Sequence, residues 1–339
     1  MIEPAVSTPP APLLAALLED ERGAALPPEV AVPGRLWERA LFAPLREIAL
    51  RPGKEFRGQL SHVAFELAGG TGQLKLEIPA IVEAYHLGSL IVDDIEDGSE
   101  LRRGAPALHR LVGVPLALNA GNWLYFWAGT LLSRAGFGAE VELTLRRAVE
   151  RAVLRCHYGQ ALDLSVRVTE LHHDEVAAVV YATTRLKTGS LMELAAELGA
   201  TAAGASPERA RVLANLGRDI GVALQMLDDL GGIAVARRAH KGREDLLAAR
   251  PSWVWAWLAE SVDRVTYQRL SSMAEGVARG ELEPDVLAAL VAERVAQPGR
   301  RAIRERLDST LEAARTTFGE ARGIAELESE LTRLERFDG

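Results

Sequence analysis

The chain has 339 residues, in which 39 Lys and Arg stand against 47 Asp and Glu, and its formal net charge is −8. This acidic balance argues against nucleic acid as the main partner. Cys156 is its single cysteine, which excludes a disulfide framework and a multi-cysteine zinc site. We therefore expect a protein of the reducing cytoplasm.

The N-terminal segment is proline-rich and differs in composition from the rest of the chain. Its apolar run Leu13–Leu18 is followed directly by acidic residues, which is not the pattern of a secretory signal. We expect residues 1–33 to form a loose tail that carries one short helix. Residues 34–339 show no fixed-period repeat, and we expect them to form one helical domain.

Helix-forming residues dominate the chain and aromatic residues make up only 5% of it, so the predicted fold class is all-α. Apolar residues recur at three- and four-residue spacing in five segments, each a predicted helix. These segments are Ile78–Asp97, Leu143–Val166, Glu175–Gly199, Ala210–Leu230 and Leu282–Val295. Glycine and proline pairs are predicted to end helices, among them Gly231-Gly232 and Pro298-Gly299.

One uncharged stretch, Leu111–Ser133, is long enough to span a bilayer. It is interrupted by Pro115, Asn119, Gly121 and Asn122. We therefore predict a helix buried in a large protein core and no transmembrane segment.

Five acidic residues lie within residues 93–100, at the end of an otherwise apolar predicted helix. Acidic groups at a helix C-terminus oppose the helix dipole, so a bound cation would explain the cluster. At about 100° per residue, Asp93 and Asp97 share a face with His86, two turns earlier. Carboxylates without Cys or paired His suit Mg²⁺ that also binds phosphate oxygens. A solvated acidic helix end is the alternative.

A second acidic pair, Asp228 and Asp229, follows the apolar run Ile220–Leu227, and alone it is equally typical of a helix-to-turn exit. Basic residues are the third element of the pattern, although each singly is typical of a protein surface. They are Lys54, Arg57, Arg102, Arg103, Lys187, Lys241 and Arg250. Together, acids for a metal and cations for phosphate within an apolar helical shell indicate a site for diphosphates with apolar tails.

Several motifs in order carry a family resemblance. They are GKEFR (53–57), HLGSLIVDDIEDGSELRRG (86–104), GQALDL (159–164), KTGSL (187–191), LQMLDD (224–229) and KGREDLLAARPSW (241–253). The chain resembles the trans-isoprenyl diphosphate synthase (polyprenyl synthetase) family over about residues 35–336. The resemblance implies a homodimer of helical bundles, each around a central apolar cavity. It also implies head-to-tail condensation of isopentenyl diphosphate with an allylic diphosphate, giving products of C15–C20 or longer.

The resemblance also implies roles for individual residues. Asp93, Asp97 and Asp228, with their neighbours Asp94 and Asp229, would hold up to three Mg²⁺ ions. The allylic diphosphate would be gripped by Arg102, Lys187, Lys241 and Arg250. Isopentenyl diphosphate would be bound by Lys54, Arg57, His86 and Arg103. Thr188 and Gln225 fit polar positions near the reacting carbon, and the residues expected to act in catalysis are Asp93, Asp97, Arg102, Lys187 and Asp228.

The sequence departs from the family pattern at several positions. Gly232 occupies the third acid position of the second aspartate motif, Asn122 replaces a usual Asp, and Arg250 replaces a usual Lys. Three tryptophans follow the last motif and are either core residues or the rim for an unusual prenyl acceptor; they are Trp253, Trp255 and Trp257. A modified prenyltransferase or class I terpene cyclase, and a non-catalytic partner subunit of a prenyl synthase, are the alternative functions.

Product length is predicted from the helix that ends in the first aspartate motif. Gly88 and Ser89 are small and would leave room for a growing tail that runs back from Asp93. Tyr85 is the first bulky residue on this path, about 12 Å from Asp93 at 1.5 Å per residue. It is either the floor of the cavity or an ordinary core residue.

Overall fold

The computed structural model describes residues 13–24, 32–234, 248–319 and 321–338. Helices make up nearly all of the regular structure in these ranges, and the predicted all-α fold class is confirmed. The chain divides into two compact units, one of Met1–Gly58 with Lys75–Gly138 and one of Gln59–Leu74 with Ala139–Gly339. In the part of the chain that the structure describes, no helix has the length and apolarity needed to cross a membrane.

The first unit contains the N-terminal helices, a short hairpin and the helix with the first aspartate motif. Its α-helices are α1 (Leu13–Ala24), α2 (Gly34–Trp37), α3 (Ala43–Ala49), the start of α4 (Phe56–Leu67), α5 (Glu77–Glu96), α6 (Leu108–Val112) and α7 (Val114–Arg134). A π-helical segment, Glu38–Phe42, joins α2 to α3. Strands β1 (Leu101–Arg102) and β2 (Ala105–Pro106) pair antiparallel after α5.

Helix α1 lies within the segment 1–33 and packs through one face. Leu14 and Leu18 are buried, and Glu21 accepts a hydrogen bond from Trp127 Nε1 at 2.9 Å. Glu21 also pairs with Arg134 at 2.5 Å. The predicted short helix is therefore present, and its anchoring to α7 is a feature that the sequence does not reveal. The domain boundary at residues 33 and 34 stays a prediction.

Helices α5 and α7 cross at two glycines. A Cβ on Gly88 would lie 2.9 Å from the carbonyl oxygen of Gly121 and 2.9 Å from the ring of Tyr125. Gly88 is therefore small because α7 approaches it closely, which differs from the expectation that its size leaves room for a tail. This crossing fixes the direction in which the acidic end of α5 points.

The prediction that the uncharged stretch forms a fully buried helix is only half correct. One face of α7 is buried through residues such as Leu124 and Leu131. The opposite face, which includes Leu118 and Asn122, is exposed, and Phe126 is 80% exposed. Helix α7 thus has apolar residues on two faces, and only one of these faces is buried within the first unit.

The second unit contains the later helices and the second aspartate motif. After the end of α4 its α-helices are α8 (Ala139–Ser165), α9 (Val176–Thr184), α10 (Ser190–Ala202), α11 (Pro207–Ala234), α12 (Trp253–Ser261), α13 (Arg264–Ala278), α14 (Pro284–Phe318) and α15 (Arg322–Asp338). A 3₁₀ turn, Val168–Glu170, follows α8. A π-helical segment, Arg185–Gly189, joins α9 to α10.

Two predicted helix ends are wrong. Gly231 and Gly232 are buried inside α11, which continues to Ala234. Pro298 and Gly299 lie inside α14. Here the buried stripe repeats every four residues through the proline, over Leu287, Val291, Val295, Gly299, Ile303, Leu307 and Leu311. Burial of a continuous stripe outweighs the loss of one backbone hydrogen bond at Pro298.

Candidate active site

The acidic end of α5 presents one open face. His86, Ser89, Leu90, Asp93 and Asp97 recur at three- and four-residue spacing, and each keeps part of its surface accessible. The structure thus brings the two predicted metal-binding carboxylates and the histidine onto one side of the helix. Because this is a helix C-terminus, the carboxylates lie where a cation is favoured.

Asp94 points away from this face. It is buried, and its Oδ1 accepts a hydrogen bond from Arg102 Nε at 2.8 Å and a second one from Nη2 of the same guanidinium. Burial raises the pKa of the Asp94 carboxyl, and the hydrogen bond and charge of Arg102 oppose that shift. Arg102 Nη2 also lies 3.9 Å from Asp93 Oδ2. Asp94 therefore orients Arg102 beside Asp93, and the metal contact expected for Asp94 stays a prediction.

A basic group lies in the same unit. Lys54 is exposed and Arg57 is half-buried. His86 has a pKa well below 6.5, chiefly because of burial and also because of the positive charges of Arg57, Arg103 and Arg102. Its imidazole is therefore neutral near pH 7, where it can donate one hydrogen bond without adding a charge. The four residues predicted to bind isopentenyl diphosphate all belong to the first unit.

Glu83 is a buried acid that the sequence analysis missed. Its Oε1 accepts a hydrogen bond from the backbone N–H of Gly58 at 2.8 Å, in the first turn of α4. Burial raises the pKa of its carboxyl, while the charge of Arg57 lowers it. The available signal was an acid inside the apolar run before the aspartate motif. Glu83 thus holds the start of the helix that carries Arg57.

In the second unit, Lys187 lies in the π-helical segment between α9 and α10. Its Nζ donates to Asp163 Oδ2 at 2.7 Å, and Arg250 Nη1 lies 3.6 Å from the same oxygen. A Cβ on Gly159 would overlap the backbone of Lys187, so α8 approaches this segment closely. Asp163 therefore joins two of the cations predicted to bind the allylic diphosphate. Asp163 stands in the motif GQALDL (159–164), and the sequence alone assigns no role to its carboxylate.

A chain of hydrogen bonds connects the polar residues of α11. Thr188 Oγ1 donates to Gln225 Oε1 at 2.9 Å, and Gln225 Nε2 donates to Asp229 Oδ1 at 2.8 Å. The backbone N–H of Trp253 donates to Asp229 Oδ2 at 2.8 Å. The buried Asp229 thus accepts a hydrogen bond at each carboxylate oxygen, from the Gln225 amide at Oδ1 and from the first residue of α12 at Oδ2. Asp228, its neighbour, is only partly buried.

The interpretation of the three tryptophans as the rim for a prenyl acceptor is wrong. Trp253, Trp255 and Trp257 are all buried on α12. The Trp257 ring lies 2.9 Å from the position of a Cβ on Gly299, and Trp255 meets Tyr267 edge to face with ring centroids 6.3 Å apart. They belong to the core of the second unit.

Two more positions were singled out in the sequence, Lys241 and Gly232, and the structure describes only the second. Lys241 lies outside the described residues. Gly232, at the third acid position of the second motif, is buried within α11. Among the predicted site residues of the second unit, hydrogen bonds connect Thr188, Gln225 and Asp229. Lys187 and Arg250 lie beside the same oxygen of Asp163.

The acidic side chains of this site suit a Mg²⁺ ion that is bound jointly by the protein and by a substrate phosphate. Within the described ranges no three His, Cys, Asp or Glu side chains converge into a complete metal cage. Mg²⁺ is characteristically bound through one or two carboxylates together with substrate phosphates and waters. Asp93 and Asp97 on the open face of α5 offer that donor set.

The chain is similar to known proteins in both sequence and fold. A short chain isoprenyl diphosphate synthase of Methanothermobacter thermautotrophicus is 36% identical over 178 residues, which cover 52% of this chain and 53% of that relative. A geranylfarnesyl diphosphate synthase of Aeropyrum pernix is 33% identical over 186 residues, covering 53% of this chain and 58% of that relative. The chain thus spans between half and two thirds of the length of these relatives.

A solved structure shows the same fold. Geranylgeranyl pyrophosphate synthase from Corynebacterium glutamicum, complexed with isoprenyl diphosphate and magnesium, superposes with a TM-score of 0.77 at 24% identity. The match covers 95% of this chain and 96% of that one. The polyprenyl synthetase family model matches residues 38–290. This chain therefore belongs to the polyprenyl synthetase family.

Proposed function

We propose that the protein condenses isopentenyl diphosphate with an allylic diphosphate, head to tail, and releases a trans-polyprenyl diphosphate of C15–C20 or longer. The observation that carries this proposal is the pair Asp93 and Asp97 on the open face of α5, beside an Arg102 that Asp94 orients. Carboxylates for a metal next to a fixed guanidinium form a receptor for a diphosphate. The relatives' names point to the same chemistry.

The reaction makes separate demands on the chain's residues. The allylic C–O bond breaks, and its electron pair leaves with the diphosphate. The double bond of isopentenyl diphosphate then forms a C–C bond to the allylic cation, and a proton passes to the departed diphosphate. Asp93, Asp97 and Asp228 would hold up to three Mg²⁺ ions, which would supply Lewis-acid stabilisation of the negative charge on that leaving group.

Arg102, Lys187 and Arg250 bind the allylic diphosphate in this proposal, and Lys241 is expected to join them. Asp163 holds Lys187 and Arg250 at one oxygen, so their orientation is set before substrate arrives. Gln225 and Thr188 are fixed by their hydrogen-bond chain and present polar atoms to the allylic carbon that becomes cationic.

Isopentenyl diphosphate is assigned to Lys54, Arg57, His86 and Arg103. Three cations supply the charge, and the neutral imidazole of His86 adds a hydrogen bond to a phosphate oxygen. Glu83 supports this group by holding the first turn of α4.

The proposal includes a homodimer and a cytoplasmic location. The exposed face of α7 carries Leu118 and Phe126, and apolar surface concentrated on one face is typical of a protein interface. Phe126→Glu should convert the dimer to a monomer in sedimentation experiments, while an unchanged sedimentation coefficient would place the interface elsewhere. The single Cys156 is compatible with a reducing compartment.

Product analysis tests the proposed activity. The protein is incubated with Mg²⁺, isopentenyl diphosphate and a C5, C10 or C15 allylic diphosphate, and linear polyprenyl diphosphates are expected. Asp93→Ala should abolish turnover while the circular dichroism spectrum is retained, because it removes a carboxylate from a repelling cluster. Asp308→Ala, at an exposed site on α14, is the matched control. Cyclic hydrocarbons would indicate a cyclase, and a folded protein without product would indicate a partner subunit.

A further inference from the structure

A buried arginine outside the predicted site contacts the hairpin that carries Arg102 and Arg103. This residue is Arg51, which is 6% exposed and follows α3 in the first unit. Its Nη1 donates to the carbonyl oxygen of Arg102 at 2.9 Å, and its Nη2 donates to that of Pro106 at 2.8 Å. The two acceptors belong to β1 and β2. One guanidinium therefore clamps both strands.

The hairpin needs such a clamp. Each of its strands has two residues, and a short isolated hairpin is at best marginally stable in water. Its turn residues, Arg103 and Gly104, both have positive φ, at 52° and 78°. This conformation is strained for any residue other than glycine and persists where the surroundings impose it. The strain lies on a residue that is itself assigned to substrate binding.

The charge of Arg51 is held in place from α3. Glu47, one turn earlier, accepts hydrogen bonds from Arg51 Nε at 3.1 Å and from Nη2 at 2.8 Å. A planar guanidinium can satisfy this carboxylate and two carbonyl oxygens at once, whereas a lysine ammonium offers no matching fork. The geometry is therefore specific to arginine.

The segment around Arg51 also fixes the Arg103 side chain. Arg103 Nη1 donates to the carbonyl oxygen of Arg51 at 3.3 Å. A Cβ on Gly53 would lie 2.9 Å from the Arg103 guanidinium carbon, so the absent side chain leaves room for that group. Arg51 and its neighbours thus hold both the backbone and the side chain of Arg103.

We propose that Arg51 is a positioning residue for diphosphate binding, which keeps the hairpin in the conformation that presents Arg102 and Arg103 to the substrates. This inference rests on the proposed function, since it assigns Arg51 to the binding step of that reaction. Arg51 itself contacts backbone carbonyls and Glu47, and its effect is exerted through the two arginines of the turn.

The test compares Arg51→Gln and Arg51→Lys with Arg46→Gln in the full chain. Arg46 lies on α3, the helix that Arg51 follows, and pairs with Glu19 and Glu38, away from the hairpin. Calorimetric titration with inorganic diphosphate at fixed Mg²⁺ measures binding, and steady-state kinetics give KM for isopentenyl diphosphate and kcat. Hydrogen exchange of the Ala107 amide, which bonds to the Glu100 carbonyl across the hairpin base at 2.9 Å, reports hairpin opening.

We expect Arg51→Gln to weaken diphosphate binding and raise KM about tenfold, with a smaller fall in kcat and faster exchange at Ala107. Arg51→Lys should lie between it and the wild type, and Arg46→Gln should leave binding and exchange unchanged. Equal effects of Arg51→Gln and Arg46→Gln, or a fall in kcat at constant KM, would overturn the inference. If no variant, nor the wild type, turns over substrate, the proposed function fails, and diphosphate binding with hairpin exchange still decides the role of Arg51.

Discussion

The Nζ of Lys187 lies 2.7 Å from Oδ2 of Asp163, which places a carboxylate beside a cation assigned to the allylic diphosphate. Arg250 Nη1 lies 3.6 Å from the same oxygen. The carboxylate sits on α8, while Lys187 lies in a π-helical segment. Such segments are rare and frequently occur at functional sites.

Asp163→Asn should therefore impair the reaction of the allylic substrate. The amide keeps the shape of the carboxylate but removes the charge that orients both cations. A hydrogen bond to a charged group contributes about 1.5–3 kcal/mol, so kcat/KM for the allylic substrate should fall by roughly ten- to hundredfold. Steady-state kinetics with each substrate varied in turn measure this effect.

The exposed Asp174, which precedes α9, supplies the control Asp174→Asn. That variant removes the same charge from the same unit and should match the wild type. A lower KM for the allylic substrate in Asp163→Asn would contradict the prediction, because it would mean that Asp163 competes with the diphosphate for Lys187.

The position of Gly232 leads to a prediction about metal requirement. It lies within α11 without positive φ, so its backbone conformation is one that aspartate adopts. It is also one turn beyond Asp228, on the same face. Gly232→Asp should lower the Mg²⁺ concentration needed for half-maximal activity, and it should lower Tm without metal because the site is buried. Metal titrations and thermal melts measure both effects.

Gly232→Ala separates the carboxylate from the loss of glycine. Alanine restores helix propensity, by about 1 kcal/mol at an exposed helical site, but offers no ligand. The Mg²⁺ requirement of this variant should equal that of the wild type. If all three proteins show the same requirement, the missing third acid is unrelated to metal affinity.

The sequence was sufficient for the fold class, and it placed His86, Asp93 and Asp97 on one face of a helix, as the structure has them. Helical periodicity located α5, α8 and α11, because burial of one face imposes a three- and four-residue spacing. The same pattern could not show that α14 continues through Pro298, since that depends on the tertiary packing of a long apolar stripe.

The sequence could not distinguish the environments of the two adjacent aspartates in each acidic pair. Asp93 and Asp94 are adjacent and chemically identical, yet Asp94 turns inward to Arg102 while Asp93 stays on the open face. The partners Arg51 and Asp163 were missed because each acts across a large sequence separation, to residue 102 in one case and residue 187 in the other. Long-range pairs of this kind leave no local pattern in the chain.

Stability should depend on pH through His86. Its pKa is well below 6.5 in the folded protein because of burial and the nearby Arg57 and Arg103. The unfolded chain therefore binds a proton more readily, and the contribution of His86 to stability is complete above about pH 6.5 and lost as pH falls below it. The loss from this group approaches about 1.4 kcal/mol per pH unit between the unfolded and folded pKa values.

Urea unfolding at pH 7.5 and pH 5.5 measures this dependence. His86→Gln should lose less stability than the wild type between these two values, because glutamine does not titrate. His172→Gln, at an exposed histidine, should lose as much as the wild type. Parallel pH profiles for the wild type and His86→Gln would show that folding leaves the pKa of His86 unchanged.

Tyr85 offers a prediction about product length. Its ring stacks on that of Tyr125 from α7, with centroids 6.1 Å apart and an interplanar angle of 22°. Two stacked rings about 12 Å along α5 from Asp93 would stop a tail of two to three isoprene units beyond the reacting end. The wild type should therefore release products of C15–C20. Tyr85→Ala should lengthen the main product by at least one C5 unit, as measured by chromatography of the dephosphorylated alcohols.

Tyr85→Phe keeps the stacked ring and should leave the product distribution unchanged, which separates ring volume from the hydroxyl group. Residue 85 lies in the core between α5 and α7. Removing its buried aromatic ring in Tyr85→Ala should therefore lower the free energy of unfolding by about 3–5 kcal/mol. Product length and stability are independent readouts here, because a weaker fold lowers the amount of active enzyme without altering where chain growth stops. An unchanged distribution in a folded Tyr85→Ala protein would make Tyr85 an ordinary core residue and would place the floor on another helix.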